Sequence, residues 1–368
     1  MVPNDEAPGG RTTARPLPRP ADVRRRLPLT PRQLGTVRRA RRDLAAILSG
    51  RDDRLLVVVG PCSIHDPAAG LEYAHRLADR AAALADELCI VMRAYVEKPR
   101  TVAGWKGLIN DPGLDGSFRV EDGIVTARAL LLEILALDLP VGCEFVDPLL
   151  APFLADAVSW GVVGARTVQS PVHRQLASGL AMPVGFKNST GGDIQVAIDA
   201  AVAASAGQVA LGITDDGQAA VVETAGNPHG HVVLRGGTAG PNSGVVDIAD
   251  TRKRLVSSGL PDRVVVDASH GNSGKDHRAQ ITVAADVATS VGEGRPGIAG
   301  VMLESFLVPG RQSIAGDPST LTYGQSVTDA CLGWEETAAT LELLAGAVAA
   351  RRGSAPPPPG LVRQPVGA

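Results

Sequence analysis

The sequence predicts an α/β fold, a (β/α)8 TIM barrel with an N-terminal helical extension and an inserted β-hairpin, and three observations carry that prediction. Eight short β-branched runs alternate with helical stretches from residue 55 onward, the order expected when helices join the strands of a parallel sheet. The runs are apolar almost throughout instead of alternating with polar residues, as strands covered on both faces must be. Each run leads into an ionisable or metal-binding residue, and barrels of this kind carry their chemistry at the C-terminal ends of their strands. An open, doubly wound sheet is the competing architecture.

Residues 1–20, rich in Pro, Gly and Arg, predict no packed structure. A helix follows over 31–48, with Thr30 placed to cap it and Pro31 at its first position, where the missing N–H costs nothing. Strands are expected at 55–59, 89–93, 141–145, 162–167, 184–187, 231–235, 264–267 and 298–303. Helices are expected near 68–86, 121–138, 149–160, 171–179, 193–206, 247–258 and 276–291, with a last one over 329–350 that Asp329 could cap. The stretch 207–226 breaks the alternation: two β-rich runs, 209–214 and 218–224, flank the turn Asp215-Asp216-Gly217 and read as an inserted hairpin. We divide the chain into a basic, partly disordered extension over 1–48, a catalytic barrel over 49–352 and a disordered Pro-rich tail over 353–368.

Composition narrows the function. Of 36 basic residues only five are lysines, Lys98, Lys106, Lys187, Lys253 and Lys275. Residues 1–42 hold 11 Arg against three acids in a chain of net charge −3, so a basic arm joins an acidic body. The arm has no interleaved aromatics, which argues for docking on the body or on another subunit and against nucleic acid. No run is long enough to span a bilayer and no signal-peptide core is present, so a cytoplasmic protein without a membrane partner is expected. Four separate cysteines with no CxxC pair argue against disulfides and zinc knuckles.

The strand ends sort into two chemical sets. Cys62, His270 and Glu304, with a carboxylate such as Asp329 from the segment after the last strand, offer S, N and O donors able to surround one divalent ion. Arg93, Lys98, Arg100, Arg166, Lys187 and Arg235 form a cationic set suited to phosphate groups. A metal beside phosphate clamps implies phosphorylated small molecules.

These residues also carry a family likeness. Gly60-Pro61-Cys62-Ser63-Ile64-His65-Asp66, Lys98-Pro99-Arg100-Thr101, Gly104-Trp105-Lys106-Gly107, Gly164-Ala165-Arg166-Thr167, Gly185-Phe186-Lys187-Asn188, Leu234-Arg235-Gly236-Gly237, Ser269-His270 and Thr328-Asp329-Ala330-Cys331 resemble the type I 3-deoxy-7-phosphoheptulonate (DAHP) synthases over roughly residues 30–352. The resemblance implies an enzyme that condenses phosphoenolpyruvate with erythrose 4-phosphate, the first step of the shikimate pathway, using one divalent metal ion (Mn²⁺, Fe²⁺, Co²⁺ or Zn²⁺). It implies metal ligands Cys62, His270, Glu304 and Asp329. Phosphoenolpyruvate would be held by Arg93, Lys98, Arg166, Lys187 and Arg235, and erythrose 4-phosphate by Lys98, Pro99, Arg100 and Thr101. Lys98 and His270 are the proton-transfer candidates, and Cys62 is the third residue implicated in catalysis. A homodimer or homotetramer is implied as well. Gln169 and Ala181, where enteric relatives carry a carboxylate and a hydroxyl, fit a synthase serving a specialised pathway. The alternatives are a related phosphoenolpyruvate aldol synthase taking another aldose phosphate and a non-catalytic regulatory paralogue.

Overall fold

The computed structural model describes residues 13–102, 104–314 and 317–354, so the expected disorder of 1–12 and of most of the tail lies outside the described residues. Helices α1 (Pro20–Arg26) and α2 (Pro31–Leu48) precede the barrel. There follow β1 (Leu55–Gly60), α3 (Pro67–Ala83), β2 (Leu88–Arg93), α4 (Val120–Ala136), β3 (Val141–Glu144), α5 (Ala151–Leu154), β4 (Trp160–Val163), α6 (Pro171–Gly179), β5 (Val184–Lys187) and α7 (Gln195–Ser205). The chain continues through β6 (Val209–Ile213), β7 (Ala219–Glu223), β8 (Gly230–Leu234), α8 (Val245–Ser257), β9 (Val264–Asp267), α9 (Ala279–Gly292), β10 (Ile298–Glu304), β11 (Val308–Arg311), β12 (Gln325–Ser326) and α10 (Trp334–Ser354). Strands β1 to β5 and β8 to β10 close into an eight-stranded parallel barrel in chain order, the architecture that the apolar runs predicted. The inserted hairpin is β6 and β7, antiparallel from Val209 opposite Glu223 to Ile213 opposite Ala219.

The barrel has two cores. An outer one packs α3, α4, α7, α9 and α10 against the strands. The interior one joins Leu56, Val58, Cys89, Val91, Trp160, Val162, Val233, Val265 and Met302 to Leu44, Ile47 and Leu48 of α2, which therefore closes the end where the strands begin. The expected cap holds α2 in place: Thr30 Oγ1 accepts from Gln33 N at 3.3 Å while Gln33 Oε1 accepts from Thr30 N at 2.7 Å. The basic arm lies on the acidic body, through Arg15 to Glu121 at 2.9 Å, Arg24 to Asp215, and Arg32 to Asp138 at 2.5 Å. Arg128, 0% exposed, donates to Leu27 O at 2.8 Å and pairs with Asp156 at 2.7 Å, fixing the link between α1 and α2.

Four local expectations need correction. The helix expected over 149–160 is only α5 flanked by single 3₁₀ turns, and the backbone is already extended at Val158 (φ −97°, ψ 133°). The chain then enters β4 at Trp160, so that strand ends at Val163 and Arg166 stands in the following turn, not in the strand. The last helix starts at Trp334, since 325–332 is taken up by β12 and by bridges from Leu332 to Ser305 and from Cys331 to Gly310; Asp329 caps nothing. Helix α1 was not foreseen, its seven residues carrying too few apolar positions to show a period.

Candidate active site

The site is built on the C-terminal ends of β1, β2, β9 and β10. Strand β1 passes through Gly60 at φ +153°, where a Cβ would stand 2.7 Å from Arg93 O, so only glycine lets the turn that bears Cys62 lie this close to β2. Arg93, 1% exposed, ties that turn down: Nε donates to Pro61 O at 3.3 Å, and Nη2 to Cys62 O at 3.3 Å and Glu304 Oε1 at 3.0 Å. Its guanidinium stacks 3.8 Å from the centre of the Tyr95 ring.

Cys62 Sγ and the carboxylates of Glu304 and Asp329 converge, their ligand atoms all within 4.8 Å of one another. Lys98 Nζ sits among them, 2.8 Å from Cys62 Sγ and 2.9 Å from Asp329 Oδ2. Burial opposes the Lys98 charge, but Cys62, Asp329 and Glu304 hold its pKa above the usual lysine value. Burial likewise acts against the Asp329 carboxylate, and the Lys98 ammonium outweighs it, keeping that group well below the ordinary carboxylate range. The Cys62 thiol is pushed up to about 11, by burial first and by Glu304 second. Asp329 is positioned by the bridges around 331–332 and by a 2.7 Å hydrogen bond between Thr328 Oγ1 and Ser63 Oγ.

His270 stands beside this group with Nε2 3.8 Å from Glu304 Oε1. Its backbone is in the left-handed region at φ +59°, uncommon for a residue with a Cβ and a mark of a functional constraint. Ser269 Oγ lies 2.5 Å from Asp267 Oδ1 and 2.7 Å from His270 Nδ1, and Asp267 Oδ2 is 3.0 Å from the same nitrogen. With the serine hydroxyl donating to Asp267, the His270 Nδ1–H donates to Ser269 Oγ. Asp267, 0% exposed, also forms an ion pair with Lys187, Nζ to Oδ2 2.9 Å. Burial works against its charge, yet Lys187 and His270 hold its carboxyl well below the usual range. Gln280 fixes the end of β10, accepting from Glu304 N at 2.8 Å and donating to Glu304 O at 3.1 Å.

A cavity of about 760 Å³ is lined among others by His270, Glu304 and Asp329 of these groups and by Arg166 and Arg235. Arg235 is 7% exposed, and burial first, with the neighbouring Arg166, lowers its pKa. Arg166 is exposed and its Nε donates to Thr101 Oγ1 at 2.8 Å. Arg100, also exposed, is turned to Trp105 O at 2.8 Å, and Pro99 is half-buried between Lys98 and Arg100. The structure thus gathers Cys62, Lys98, His270, Glu304 and Asp329 in one place and Arg166 and Arg235 at its side. Arg93 and Lys187 face inward on carboxylates, and Pro99, Arg100 and Thr101 form the outer loop. Sequence reasoning passed over Asp267, Gln280 and Arg311, the last another lining residue of the cavity. Asp267 was visible as the acid that ends an apolar strand, whereas Gln280 and Arg311 carried no signal.

Residues 28–342 match the family model described as the DAHP synthetase I family. The chain is 50% identical over 347 residues to phospho-2-dehydro-3-deoxyheptonate aldolase of Corynebacterium glutamicum, covering 92% of this chain and 93% of that one. It is 52% identical over 335 residues to the Phe-sensitive phospho-2-dehydro-3-deoxyheptonate aldolase of Escherichia coli K12, covering 91% and 95%. The solved phospho-2-dehydro-3-deoxyheptonate aldolase of Francisella tularensis SCHU S4 superimposes with a TM-score of 0.91 at 46% identity, over 94% of this chain and all of that one.

Proposed function

The chain belongs to the DAHP synthetase I family, and from that premise we propose how its residues carry out the family reaction. The protein condenses phosphoenolpyruvate with D-erythrose 4-phosphate and water to give 3-deoxy-D-arabino-heptulosonate 7-phosphate and phosphate, the first step of the shikimate pathway. Carbon three of phosphoenolpyruvate forms the new bond to the aldehyde carbon, water adds at carbon two, and the carbon–oxygen bond to phosphate breaks. Arg166 and Arg235 receive the phosphate of phosphoenolpyruvate, and Lys98 and Lys187 supply further positive charge as the reacting groups enter. The outer loop of Pro99, Arg100 and Thr101 holds the four-carbon sugar phosphate. Donors fixed in advance, as Arg235 is by burial, spend no reorganisation when charge shifts in the transition state.

The ligand atoms of Cys62, Glu304 and Asp329, with His270 Nε2 3.8 Å from Glu304 Oε1, fit a divalent ion: the donors are of mixed S, N and O type, and where the first three converge the structure already places a positive charge, the Lys98 ammonium. A sulfur ligand favours Mn²⁺, Fe²⁺, Co²⁺ or Zn²⁺ over Mg²⁺. When bound, such an ion supplies Lewis-acid polarisation of the aldehyde. The convergence of these donors beside the Arg166 and Arg235 pair is the single observation that carries the reading. Its test follows phosphoenolpyruvate loss in the presence of Mn²⁺ with a panel of aldose phosphates. Turnover is expected with erythrose 4-phosphate and about tenfold or more below it with arabinose 5-phosphate; equal rates would favour the related aldol synthase, and no turnover with any sugar a regulatory paralogue.

The assembly we propose is a homodimer or homotetramer. In its support, Val209, Leu211 and Val221 share one face of the β6–β7 hairpin and are 64%, 88% and 66% exposed, an apolar patch of the kind that marks an interaction surface. Sedimentation velocity should give a species of two or four chains, and a single-chain species would count against it.

A further inference from the structure

Three asparagines outside the site as described, Asn188, Asn242 and Asn272, are 0%, 8% and 6% exposed and stand one behind another beneath the loops that follow β5, β8 and β9. Lys187 ends β5, and the loops after β8 and β9 carry Arg235 and His270. Asn188 uses its whole hydrogen-bonding capacity: Oδ1 accepts from Arg235 N at 2.8 Å and Asn242 Nδ2 at 3.1 Å, and Nδ2 donates to Ser189 O at 3.0 Å and Gly236 O at 2.9 Å. Asn242 Oδ1 accepts from Gly236 N at 2.7 Å, and Asn242 N donates to Asn272 Oδ1 at 2.8 Å. Asn272 Nδ2 donates to Leu234 O at 3.0 Å and Asp267 O at 2.8 Å. The same loops touch backbone to backbone at glycines: a Cβ on Gly236 would lie 2.4 Å from Gly271 C, and one on Gly237 2.4 Å from Gly192 Cα.

The Arg235 backbone is consequently held on both sides. Its N–H goes to Asn188, its carbonyl accepts from Gly271 N at 2.9 Å, and the next peptide is bonded at its N–H by Asn242 and at its carbonyl by Asn188. A side chain's reach is set by its Cα, and a misplacement of about 1 Å at a binding group costs on the order of 10²-fold in rate. We propose that Asn188 is a positioning residue for the phosphate clamp, setting the place of Arg235 relative to Lys187 through its carboxamide, with Asn242 and Asn272 relaying the same register to the His270 loop. This rests on the reading that Arg235 and Lys187 serve phosphoenolpyruvate.

Asn188→Asp keeps shape and both acceptor bonds but loses the two Nδ2 donations and sets a carboxylate oxygen against the Ser189 and Gly236 carbonyls. On the metal-loaded enzyme, KM for phosphoenolpyruvate is expected to rise about 10-fold to 100-fold, the range for removal of a supporting hydrogen bond, while KM for erythrose 4-phosphate at saturating phosphoenolpyruvate stays within about twofold. An unchanged KM for phosphoenolpyruvate, or equal changes for both substrates in step with a fall in melting temperature, would overturn the proposal. Should that variant purify unfolded, Asn242→Asp, which keeps its bond from Gly236 N and loses its donation to Asn188, is read in its place against the same two outcomes. Arg235→Met and Lys187→Met, assayed alongside, test the underlying reading: if they leave KM for phosphoenolpyruvate unchanged, the clamp assignment itself is wrong.

Discussion

Exhaustive chelation is expected to abolish turnover, and addition of Mn²⁺ to restore it, without unfolding the protein. The reason is electrostatic. The donor group of Cys62, Glu304 and Asp329 is not left as bare negative charge when no metal is bound, because Lys98 Nζ spans Cys62 and Asp329 at 2.8 and 2.9 Å and Arg93 meets Glu304 at 3.0 Å. The metal-free protein is therefore charge-compensated, and its melting temperature should fall only modestly. Activity has no such substitute, since Lewis-acid catalysis is worth several kcal/mol and about 1.4 kcal/mol is tenfold in rate. Cys62→Ser, nearly isosteric in a fully buried position, and His270→Ala are each expected to lower kcat/KM by about 10²-fold or more and to weaken metal retention on dialysis. Full activity after chelation, or wild-type behaviour of both variants, would remove the metal from the mechanism.

Lysine-to-arginine exchange gives the second large effect, at chosen positions only. Lys98→Arg and Lys187→Arg should each lower kcat/KM by about 10²-fold or more, whereas Lys253→Arg should leave it within about twofold. Lys98 places a compact ammonium between a sulfur and a carboxylate less than 3 Å away on either side, and a planar guanidinium fork does not fit that gap. Lys187 is 4% exposed and ends on the fully buried Asp267 at 2.9 Å, where a longer head would overpack the site and strand N–H groups without acceptors. Lys253 lies exposed on α8. Steady-state kinetics with both substrates varied separates the cases; equal tolerance at all three would mean that the scarcity of lysine reflects coding alone.

The helix-covered parallel sheet was legible because its strands are buried on both faces, as in Val57-Val58-Val59 or Val264-Val265-Val266, and the eightfold alternation with charged strand ends favoured the barrel over the open sheet. Strand ends were legible to one or two residues where a charge follows directly, as at Arg93, Lys187 and Asp267. Reading failed where side chains and backbone disagree. Trp160 opens β4 because an aromatic ring fills the barrel interior, a tertiary reason absent from a count of β-branched residues. Asp329 resembles a helix cap and is instead held by bridges to segments more than 15 residues away. The proposed metal donors were visible as chemistry at strand ends, but the placement of Lys98 among them and the left-handed backbone of His270 belong to loop geometry. The sequence assigned the asparagines no role, since an isolated Asn in a Gly-rich loop says nothing of what its amide meets.

The division between extension and barrel is not a division of the core. Leu44, Ile47 and Leu48 are 0%, 0% and 5% exposed, and what covers them is the barrel's own interior. At about 1.5–3 kcal/mol for each such side chain, as an upper figure, α2 contributes roughly 5–9 kcal/mol, comparable to the whole stability of a native domain at about 5–15 kcal/mol. A boundary drawn between residues 48 and 49 therefore separates a stopper from its vessel: begun at residue 49, the chain would admit water to the floor on which Trp160 and Met302 rest. The extension that first looked like an appendage is, in folding terms, a ninth wall of the barrel.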